Sequence, residues 1–307
     1  MTGSQFDMVT ILGPTASGKT EVAVNLAHIL GGEVISADSR QVYRDMDLGT
    51  GKDIDEYRIN GVDIPYHLID IAEPGYQYNV FEFQRDFLRV YRDIKERGKF
   101  PVLCGGSGMY LEAILKGYRL IQVPVNEQRR SELQLLSLEE LVELLKLYKS
   151  INNTSDTENR KRAMRAIEIE EFCKAYPETD LSFPVINSLI VGIKYDRDSR
   201  RRRITARLKQ RLENGMVEEV EKLLNNGLKP DELVYYGLEY KYLTNYIMDE
   251  LSFEEMFEGL NVAIHQFAKR QMTWFRKMER EGFNIRWLDG YMPLSEKTEK
   301  ILSWLNP

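Results

Sequence analysis

The chain has 307 residues, 43% of them hydrophobic and 29% charged, with a formal net charge of −6 at pH 7. This length accommodates one large α/β domain and a smaller one, and the hydrophobic content suffices for a substantial core. The negative balance argues against indiscriminate nucleic-acid binding. Because we find neither a basic leader nor an apolar run of roughly eighteen residues, we expect a cytoplasmic protein without a membrane span. Its two cysteines and three histidines lie far apart, which argues against disulfides and a transition-metal site.

The first motif in the chain is a phosphate loop. Residues 8–12 are apolar and β-branched, as in a buried strand, and residues 21–30 have the pattern of a helix. Between them stands the motif G-x-x-x-x-G-K-S/T, whose backbone N–H groups, lysine and hydroxyl bind phosphates and Mg²⁺. The motif does not identify the compound that carries the phosphates. The predicted phosphate-binding residues are Gly13, Thr15, Ala16, Ser17, Gly18, Lys19 and Thr20, with Thr20 as the candidate Mg²⁺ ligand.

A carboxylate follows the second predicted strand. Residues 33–37 are mostly apolar and end at Asp38. Ligands of open α/β sheets bind at the carboxyl ends of the strands, so we expect Asp38 to share a crevice with Lys19. Two alternatives remain open at this stage: Asp38 caps a following helix, or it contacts Mg²⁺ indirectly.

Three further segments precede the middle of the chain. Residues 49–53 form a glycine-rich loop with a lysine and are a candidate ligand loop, whereas residues 65–71 are expected to be a strand edge. A core-facing helix is predicted over residues 79–97. Residues 100–104 predict a buried strand that leads into a turn of small residues containing Ser107, which either reaches the phosphates or caps the next helix.

From about residue 123 the pattern indicates helices until a strand returns at residues 188–195. Capping boxes at Ser137 and Ser155 predict two helix starts in this segment. The second helix carries a cluster of cations in its first turns, where the helix dipole disfavours positive charge. This cluster indicates either an anionic partner or a solvated basic face, and it contains Arg160, Lys161, Arg162 and Arg165.

Two basic helices complete the chain. In residues 196–215, Arg203, Arg207 and Arg211 border an apolar stripe, which favours a cleft wall facing phosphates over a solvated face. In the helix that begins after Ser252, basic residues alternate with aromatic ones over residues 266–277. Such a pattern is typical of RNA-binding surfaces, and an amphipathic core helix explains the aromatic residues equally well. Residues 284–288 predict a last strand.

The ordered set of motifs resembles the bacterial tRNA dimethylallyltransferases nearly from end to end. Within it, Ser107 stands where that family usually has threonine. The segments that carry the resemblance are Gly13-Pro14-Thr15-Ala16-Ser17-Gly18-Lys19-Thr20, Asp38-Ser39-Arg40-Gln41-Val42-Tyr43, His67-Leu68-Ile69-Asp70, Gly105-Gly106-Ser107-Gly108-Met109-Tyr110, the stretch from Asn159 to Glu168, Asp196-Arg197 and the stretch from Ala268 to Arg276.

The resemblance implies an architecture and a reaction. The fold would be α/β, a P-loop NTPase-like parallel sheet flanked by helices with an inserted all-helical subdomain. Residues 1–122 and 185–307 would form the catalytic core, and residues 123–184 a helical insertion contacting tRNA. The protein, expected to be a monomer, would transfer the dimethylallyl group of dimethylallyl diphosphate to N6 of adenosine 37, the nucleotide 3′ of the anticodon, with Mg²⁺ as cofactor.

Roles for individual residues follow from the same resemblance. Asp38 would accept the proton of the adenine amine, while Lys19, Ser107 and Arg203 would stabilise the leaving diphosphate. The phosphate-loop residues would hold the diphosphate. The residues expected to contact tRNA are Ser39, Arg40, Gln41 and Val42 along the passage of the flipped nucleotide, Asn159, Arg160, Lys161, Arg162 and Ala163 in the insertion, and Lys269, Arg270 and Arg276 near the C-terminus.

Three other functions remain compatible with a phosphate loop. An isopentenyltransferase acting on free adenine nucleotides and a P-loop small-molecule kinase are the enzymatic alternatives, and the three basic segments favour a polymeric anion over both. An RNA-binding protein switched by a nucleoside triphosphate is the alternative without prenyl transfer. Asp38 and Ser107 beside the phosphate loop favour chemistry over a switch.

Overall fold

The computed structural model describes residues 5–118, 120–151, 155–176 and 183–305. Three of the strands, Met8–Leu12, Glu33–Ser36 and Pro101–Gly105, are short and fully buried, as expected at the centre of a parallel sheet covered on both faces. The strands are β1 (Met8–Leu12), β2 (Glu33–Ser36), β3 (Arg58–Ile59), β4 (Val62–Asp63), β5 (Tyr66–His67), β6 (Pro101–Gly105), β7 (Ser188–Lys194) and β8 (Ile285–Asp289).

Helices connect the strands and make up the rest of the regular structure. Short 3₁₀ turns cover Ile54–Tyr57 and Ser155–Thr157. The helices are α1 (Lys19–Leu30), α2 (Val80–Glu96), α3 (Gly108–Leu115), α4 (Glu127–Leu133), α5 (Leu138–Lys146), α6 (Arg160–Ala175), α7 (Arg197–Glu213), α8 (Met216–Asn225), α9 (Pro230–Val234), α10 (Leu238–Ile247), α11 (Phe253–Arg280) and α12 (Leu294–Leu305).

Six of the strands form one parallel sheet in the order β5-β2-β6-β1-β7-β8, while β3 and β4 pair as a separate hairpin, within the described residues. The central strand β1 lies between β6 and β7, and Leu12 is in register with both Gly105 and Gly192. Strand β2 pairs with β6 through Ser36 and Cys104. The loops after β1, β2 and β6 therefore leave the sheet side by side at its carboxyl edge. This is the predicted P-loop NTPase-like arrangement.

The ends of β2 and β6 approach each other closely because a glycine lies between them. A Cβ atom on Gly105 would lie 2.2 Å from the carbonyl oxygen of Ala37, so a side chain cannot be accommodated there. This contact brings Asp38 and Ser107, which follow the two strands, to the same side of the sheet.

The predicted starts of helices are confirmed where capping boxes form. Capping boxes begin α2 at Asn79, α5 at Ser137 and α11 at Ser252. The prediction that a helix begins at Ser155 is wrong, because Asn159 caps α6 instead by accepting a hydrogen bond from the Arg162 N–H at 3.0 Å. The strand expected over residues 65–71 is confined to Tyr66–His67.

The chain divides into two compact units, Met1–Tyr118 with Pro184–Pro307 and Arg119–Phe183. The larger unit contains the sheet and its core. The smaller unit has a core of its own made by Leu133, Leu141, Leu145, Ala163, Ala166 and Ile167. Contact between the smaller unit and tRNA stays a prediction.

In the part of the chain that the structure describes, no helix combines the length and the apolar character needed to cross a bilayer.

Candidate active site

A cavity of about 1090 Å³ opens at the carboxyl edge of the sheet in the larger unit. Its wall is built by the phosphate loop, by the loops that follow β2 and β6, and by helices α7 and α11. Residues that are more than two hundred positions apart in the sequence thus line the same cavity. A cavity of this kind, with convergent polar groups at the carboxyl edge of a parallel sheet, is where ligands of α/β proteins bind.

The phosphate loop joins β1 to α1 as the motif predicts. Ala16 and Gly18 adopt the left-handed conformation, with φ of 59° and 75°. Lys19 and Thr20 form the start of α1 and line the cavity together with residues 15–18. The predicted Gly13 lies beneath the loop, where an added Cβ would meet Ser17 Oγ at 2.6 Å. The loop thus presents the N-terminus of α1 to the cavity, a favourable environment for an anion.

Two polar groups of the loop have distinctive surroundings. Burial lowers the pKa of Lys19 from its ordinary value, and the nearby Asp38 carboxylate opposes this shift. Ser17 Oγ is buried and has no hydrogen-bond partner among the described residues.

The thiol of Cys104, in β6, is also near Lys19. Burial raises its pKa to about 12, so this cysteine is an inert thiol of the core.

Asp38 lines the cavity directly after β2. One of its carboxylate oxygens, Oδ1, accepts a hydrogen bond from the backbone N–H of Arg40 at 2.9 Å. The residues that follow form a turn and not a helix, so the alternative that Asp38 caps a helix is wrong. The carboxylate is oriented by this turn and lies in the same cavity as Lys19.

Ser107 follows β6 and is tied to the loop after β2. Its Oγ accepts the backbone N–H of Ser39 at 3.0 Å and lies 3.3 Å from Ser39 Oγ. Although Ser107 occupies the position before α3, its side chain makes no capping hydrogen bond. The hydroxyl therefore belongs to the cavity wall and not to the helix start.

The three arginines of α7 line the cavity as their spacing predicts, but they differ in their partners. Arg203 donates from Nε to the carbonyl oxygen of Ala16 at 2.9 Å, and its guanidinium carbon lies 4.5 Å from the centre of the Tyr195 ring. Arg207 forms an ion pair with Asp53. Arg211 lies 3.5 Å from the same carboxylate, and burial lowers its pKa.

The glycine-rich loop at residues 49–53 contributes to the cavity through Thr50 and Asp53, whereas its lysine does not. The ammonium of Lys52 is buried, pairs with Asp70 and lies 2.6 Å from Asp47. The loop thus lines the cavity as a candidate ligand loop, but the charge of Lys52 is used to hold the loop itself.

The predicted passage residues after Asp38 separate into two groups. Ser39, Arg40 and Gln41 line the cavity, and the Gln41 amide is held by the Ser36 hydroxyl and the Gly51 carbonyl. Val42 is fully buried and packs in the core, so the prediction that its side chain faces a nucleotide is wrong. The turn after Asp38 places this residue in the core and outside the cavity lining.

Helix α11 contributes residues that the sequence did not single out. The predicted Arg270 lines the cavity, while Lys269 and Arg276 are exposed outside its lining. Gln271 and Trp274 line it as well. Helical spacing gives a signal that could have identified them, because Trp274 lies about one turn after both Arg270 and Gln271 on α11.

The predicted tRNA contacts of the smaller unit lie at the start of α6. Lys161 is exposed, Arg160 donates to the carbonyl oxygen of Gln134, and Arg162 pairs with Glu158. Glu158 of the protein itself therefore supplies part of the negative charge that was expected beside this cluster. Ala163 is fully buried in the core of the unit, so the prediction that its side chain contacts RNA is wrong.

The chemistry of the donor set is compatible with Mg²⁺. Among the described residues there is no group of three or more histidine, cysteine or acidic side chains that could enclose a metal. Mg²⁺ commonly binds through few protein oxygens, water and substrate phosphates. The Thr20 hydroxyl in the cavity wall suits that mode of binding.

Comparison with known protein sequences relates the chain to a family of transferases. The sequence profile of a family described as IPP transferase matches residues 41–278, and one described as isopentenyl transferase matches residues 6–66. The chain is 61% identical over 297 residues to tRNA dimethylallyltransferase 2 of Bacteroides fragilis (strain YCH46), covering 97% of this chain and 96% of that protein.

Solved structures extend the comparison to the fold. The full-length tRNA isopentenylpyrophosphate transferase from Bacillus halodurans has a TM-score of 0.71 at 33% identity, covering 97% of this chain and 95% of that one. A eukaryotic dimethylallyltransferase acting on tRNA has a TM-score of 0.76 at 23% identity, covering 92% and 73%, which shows a shared fold.

Proposed function

The chain belongs to the IPP transferase family of tRNA dimethylallyltransferases, and from this membership we infer that it transfers a dimethylallyl group from dimethylallyl diphosphate to tRNA. It is a prenyltransferase. We propose further that the acceptor is N6 of the adenosine immediately 3′ of the anticodon, adenosine 37, and that the reaction takes place in the cytoplasm.

The observation that carries the proposal is the position of Asp38 in a cavity that is also lined by the phosphate loop and by three arginines of α7. An exocyclic adenine amine is a poor nucleophile and must lose a proton as it reacts. In the proposed reaction N6 attacks C1 of the dimethylallyl group, the bond from C1 to the diphosphate oxygen breaks with its electron pair, and Asp38 accepts the N6 proton. The hydrogen bond from the Arg40 N–H to Asp38 Oδ1 supports this role by holding the carboxylate in place.

Charge that develops on the departing diphosphate requires stabilisation. The N-terminus of α1 and Lys19 would meet it from one side, and Arg203 reaches the same loop from α7 through its bond to the Ala16 carbonyl. Ser107 would donate its hydroxyl hydrogen after turning away from Ser39 Oγ, which lies 3.3 Å from it. Mg²⁺ held by Thr20 would add charge neutralisation when bound.

The acceptor must leave its stacked position to react in an enclosed cavity, as bases do in other base-modifying enzymes. Ser39, Arg40 and Gln41 stand on the wall next to Asp38, which supports their role along the passage of the flipped nucleotide. The guanidinium of Arg40 lies 5.4 Å from the centre of the Tyr235 ring, so a flat cationic surface is available there.

A transfer assay tests the proposed function. Purified protein is incubated with labelled dimethylallyl diphosphate, Mg²⁺ and either an unmodified anticodon stem-loop or AMP, and ATP hydrolysis is measured in parallel. We expect label in the stem-loop and none in AMP. Label in AMP alone would assign the protein to the free-nucleotide enzymes, and ATP turnover without label would indicate a kinase or a nucleotide-driven switch.

A further inference from the structure

We propose that Gln271 is a positioning residue that holds the phosphate loop and the loop carrying Ser107 at a set separation. The inference rests on the proposed function, because the two loops carry groups that are proposed to act on the same leaving diphosphate. Gln271 touches neither substrate in this account and acts through the backbone of the two loops.

The contacts of Gln271 join three distant parts of the chain. Its side chain lies on α11 and is buried, with 7% exposure. Oε1 accepts the backbone N–H of Thr15 at 2.9 Å, and Nε2 donates to the carbonyl oxygen of Gly106 at 2.9 Å. Because the amide is planar and both its ends are engaged, the positions of Thr15 and Gly106 are set by one rigid group.

The packing around Gly106 leaves little room for adjustment. A Cβ atom on Gly106 would lie 2.6 Å from Gln271 Nε2, 3.2 Å from the Gly13 carbonyl oxygen and 3.6 Å from Lys19 Cε. Gly106 is therefore enclosed by Gln271, the phosphate loop and the lysine that is proposed to meet the diphosphate. Since Ser107 is the next residue, a shift of Gly106 moves the Ser107 hydroxyl relative to Lys19.

Gln271 differs from an ordinary buried amide side chain because its two hydrogen bonds connect two different loops of the cavity. Both partners of Gln271 are backbone atoms of ligand-binding loops, and its neighbours on α11, Arg270 and Trp274, line the same cavity. Reactions that depend on several donors are sensitive to their relative placement, and a displacement of about 1 Å can cost about 100-fold in rate. We infer that loss of the two hydrogen bonds lowers kcat more than it lowers the amount of folded protein.

The test compares three variants of the full chain in the prenyl-transfer assay. Gln271→Met keeps the length of the side chain and removes both hydrogen bonds, whereas Gln271→Glu retains the acceptor for Thr15 and loses the donor to Gly106. Gln77→Met is the matched control, because Gln77 is exposed and lies outside the cavity lining and the basic segments. Thermal unfolding of each variant gives the folded fraction at the assay temperature.

We expect kcat per folded molecule to fall about 10- to 100-fold in Gln271→Met, to fall at least as far in Gln271→Glu, whose carboxylate would face the Gly106 carbonyl oxygen, and to stay at the wild-type value in Gln77→Met. A loss of activity that only follows the loss of folded protein would overturn the inference. So would equal kcat values for Gln271→Met and Gln77→Met. Absence of transfer by the wild type would instead refute the proposed function.

A double-mutant cycle with Ser107→Ala separates positioning from a general structural role. If Gln271 acts by placing Ser107, the effect of Gln271→Met on kcat is smaller in the Ser107→Ala background than in the wild type. Fully multiplicative losses would show that the two residues act independently and would contradict the proposal. Gly106→Ala, which displaces Nε2 without changing Gln271, is expected to reproduce the kcat loss of Gln271→Met.

Discussion

At the residue scale, Arg203 connects the basic helix with the phosphate loop. Its Nε donates to the Ala16 carbonyl, and the Tyr195 ring lies against its guanidinium. Ala16 is held in a left-handed conformation, so its carbonyl has a direction set by the loop. One face and one nitrogen of the Arg203 guanidinium are thus engaged. Among the described residues its other two nitrogens have no hydrogen-bond partner, so they can bind an anion in the proposed role.

A substitution at this residue gives the first prediction. Arg203→Lys keeps the positive charge but loses the planar guanidinium that bonds Ala16 and stacks on Tyr195. We expect kcat to fall about 10- to 100-fold with little change in the thermal midpoint, since transition-state donors of this type have effects of that order. Steady-state kinetics measures this, with the exposed Arg201→Lys on the same helix as control. Equal effects of both substitutions would contradict a specific role for Arg203.

The residues of the site could be predicted to different degrees. Lys19, Asp38 and Ser107 belong to local motifs at strand ends, where the chemistry is visible in a few neighbouring residues. The bond between Gln271 and Thr15 joins residues 256 positions apart, and the sequence around Gln271 gives no sign of it. Val42 and Ala163 were wrongly assigned to tRNA because a motif match does not tell which side of the chain faces the core.

At the element scale, strand β2 carries Asp38 at one end and is anchored by Glu33 at the other. The buried Glu33 carboxylate pairs with the Arg97 guanidinium, which follows α2, and lies 2.7 Å from His67 Nε2 in β5. Hydrogen bonds from Arg97, and then from His67, lower the pKa of Glu33 below its ordinary value. The ion pair therefore ties the strand that leads to the site to a neighbouring helix and to an edge strand.

The second prediction concerns the pH dependence of this anchor. A carboxyl group with a lowered pKa stabilises the fold above its unfolded-state pKa, and this contribution is lost as the pH falls through the folded-state value. Glu33→Gln should lower the free energy of unfolding at pH 7 by about 1 to 3 kcal/mol. The difference from wild type should shrink on acidification below about pH 4. Urea unfolding at several pH values measures it, with the exposed Glu96→Gln as control, and a pH-independent difference would contradict the argument.

Element boundaries were predictable where local hydrogen bonds decide them. Asn79, Ser137 and Ser252 each cap their helix with a glutamate three residues later, as such pairs predict. The pair at Ser155 satisfies the same pattern, yet Asn159 competes as a cap and the helix begins after it. The order of strands in the sheet depends on contacts between distant segments, so local patterns do not determine it.

At the scale of the whole molecule, a negatively charged protein is proposed to bind tRNA through separate basic surfaces. Lys161 lies at the start of α6 in the smaller unit, and Lys269 lies on α11 in the larger one. Both are exposed. Cations that contact phosphates make binding sensitive to salt, whereas the net charge of the chain has little influence on a local contact.

The third prediction follows from these surfaces. Lys161→Gln and Lys269→Gln should each raise KM for the stem-loop, leave KM for dimethylallyl diphosphate unchanged, and reduce the slope of log affinity against log salt by about 0.7 to 0.9. Binding titrations at several salt concentrations measure the slope. Lys95→Gln on α2 removes an exposed cation elsewhere and should leave the slope at the wild-type value. Unchanged slopes in both variants would remove these lysines from the tRNA surface.

The central claim is that Asp38 accepts the proton of an adenosine amine in tRNA while the amine is prenylated. The most direct measurement is mass spectrometry of nucleosides from a stem-loop treated with wild type or Asp38→Asn, using stem-loops with adenosine or guanosine 3′ of the anticodon. We predict N6-isopentenyladenosine at that position in the adenosine stem-loop alone, formed about 100- to 10,000-fold more slowly by Asp38→Asn. Prenylation of the guanosine stem-loop, or equal rates for wild type and Asp38→Asn, would contradict the account.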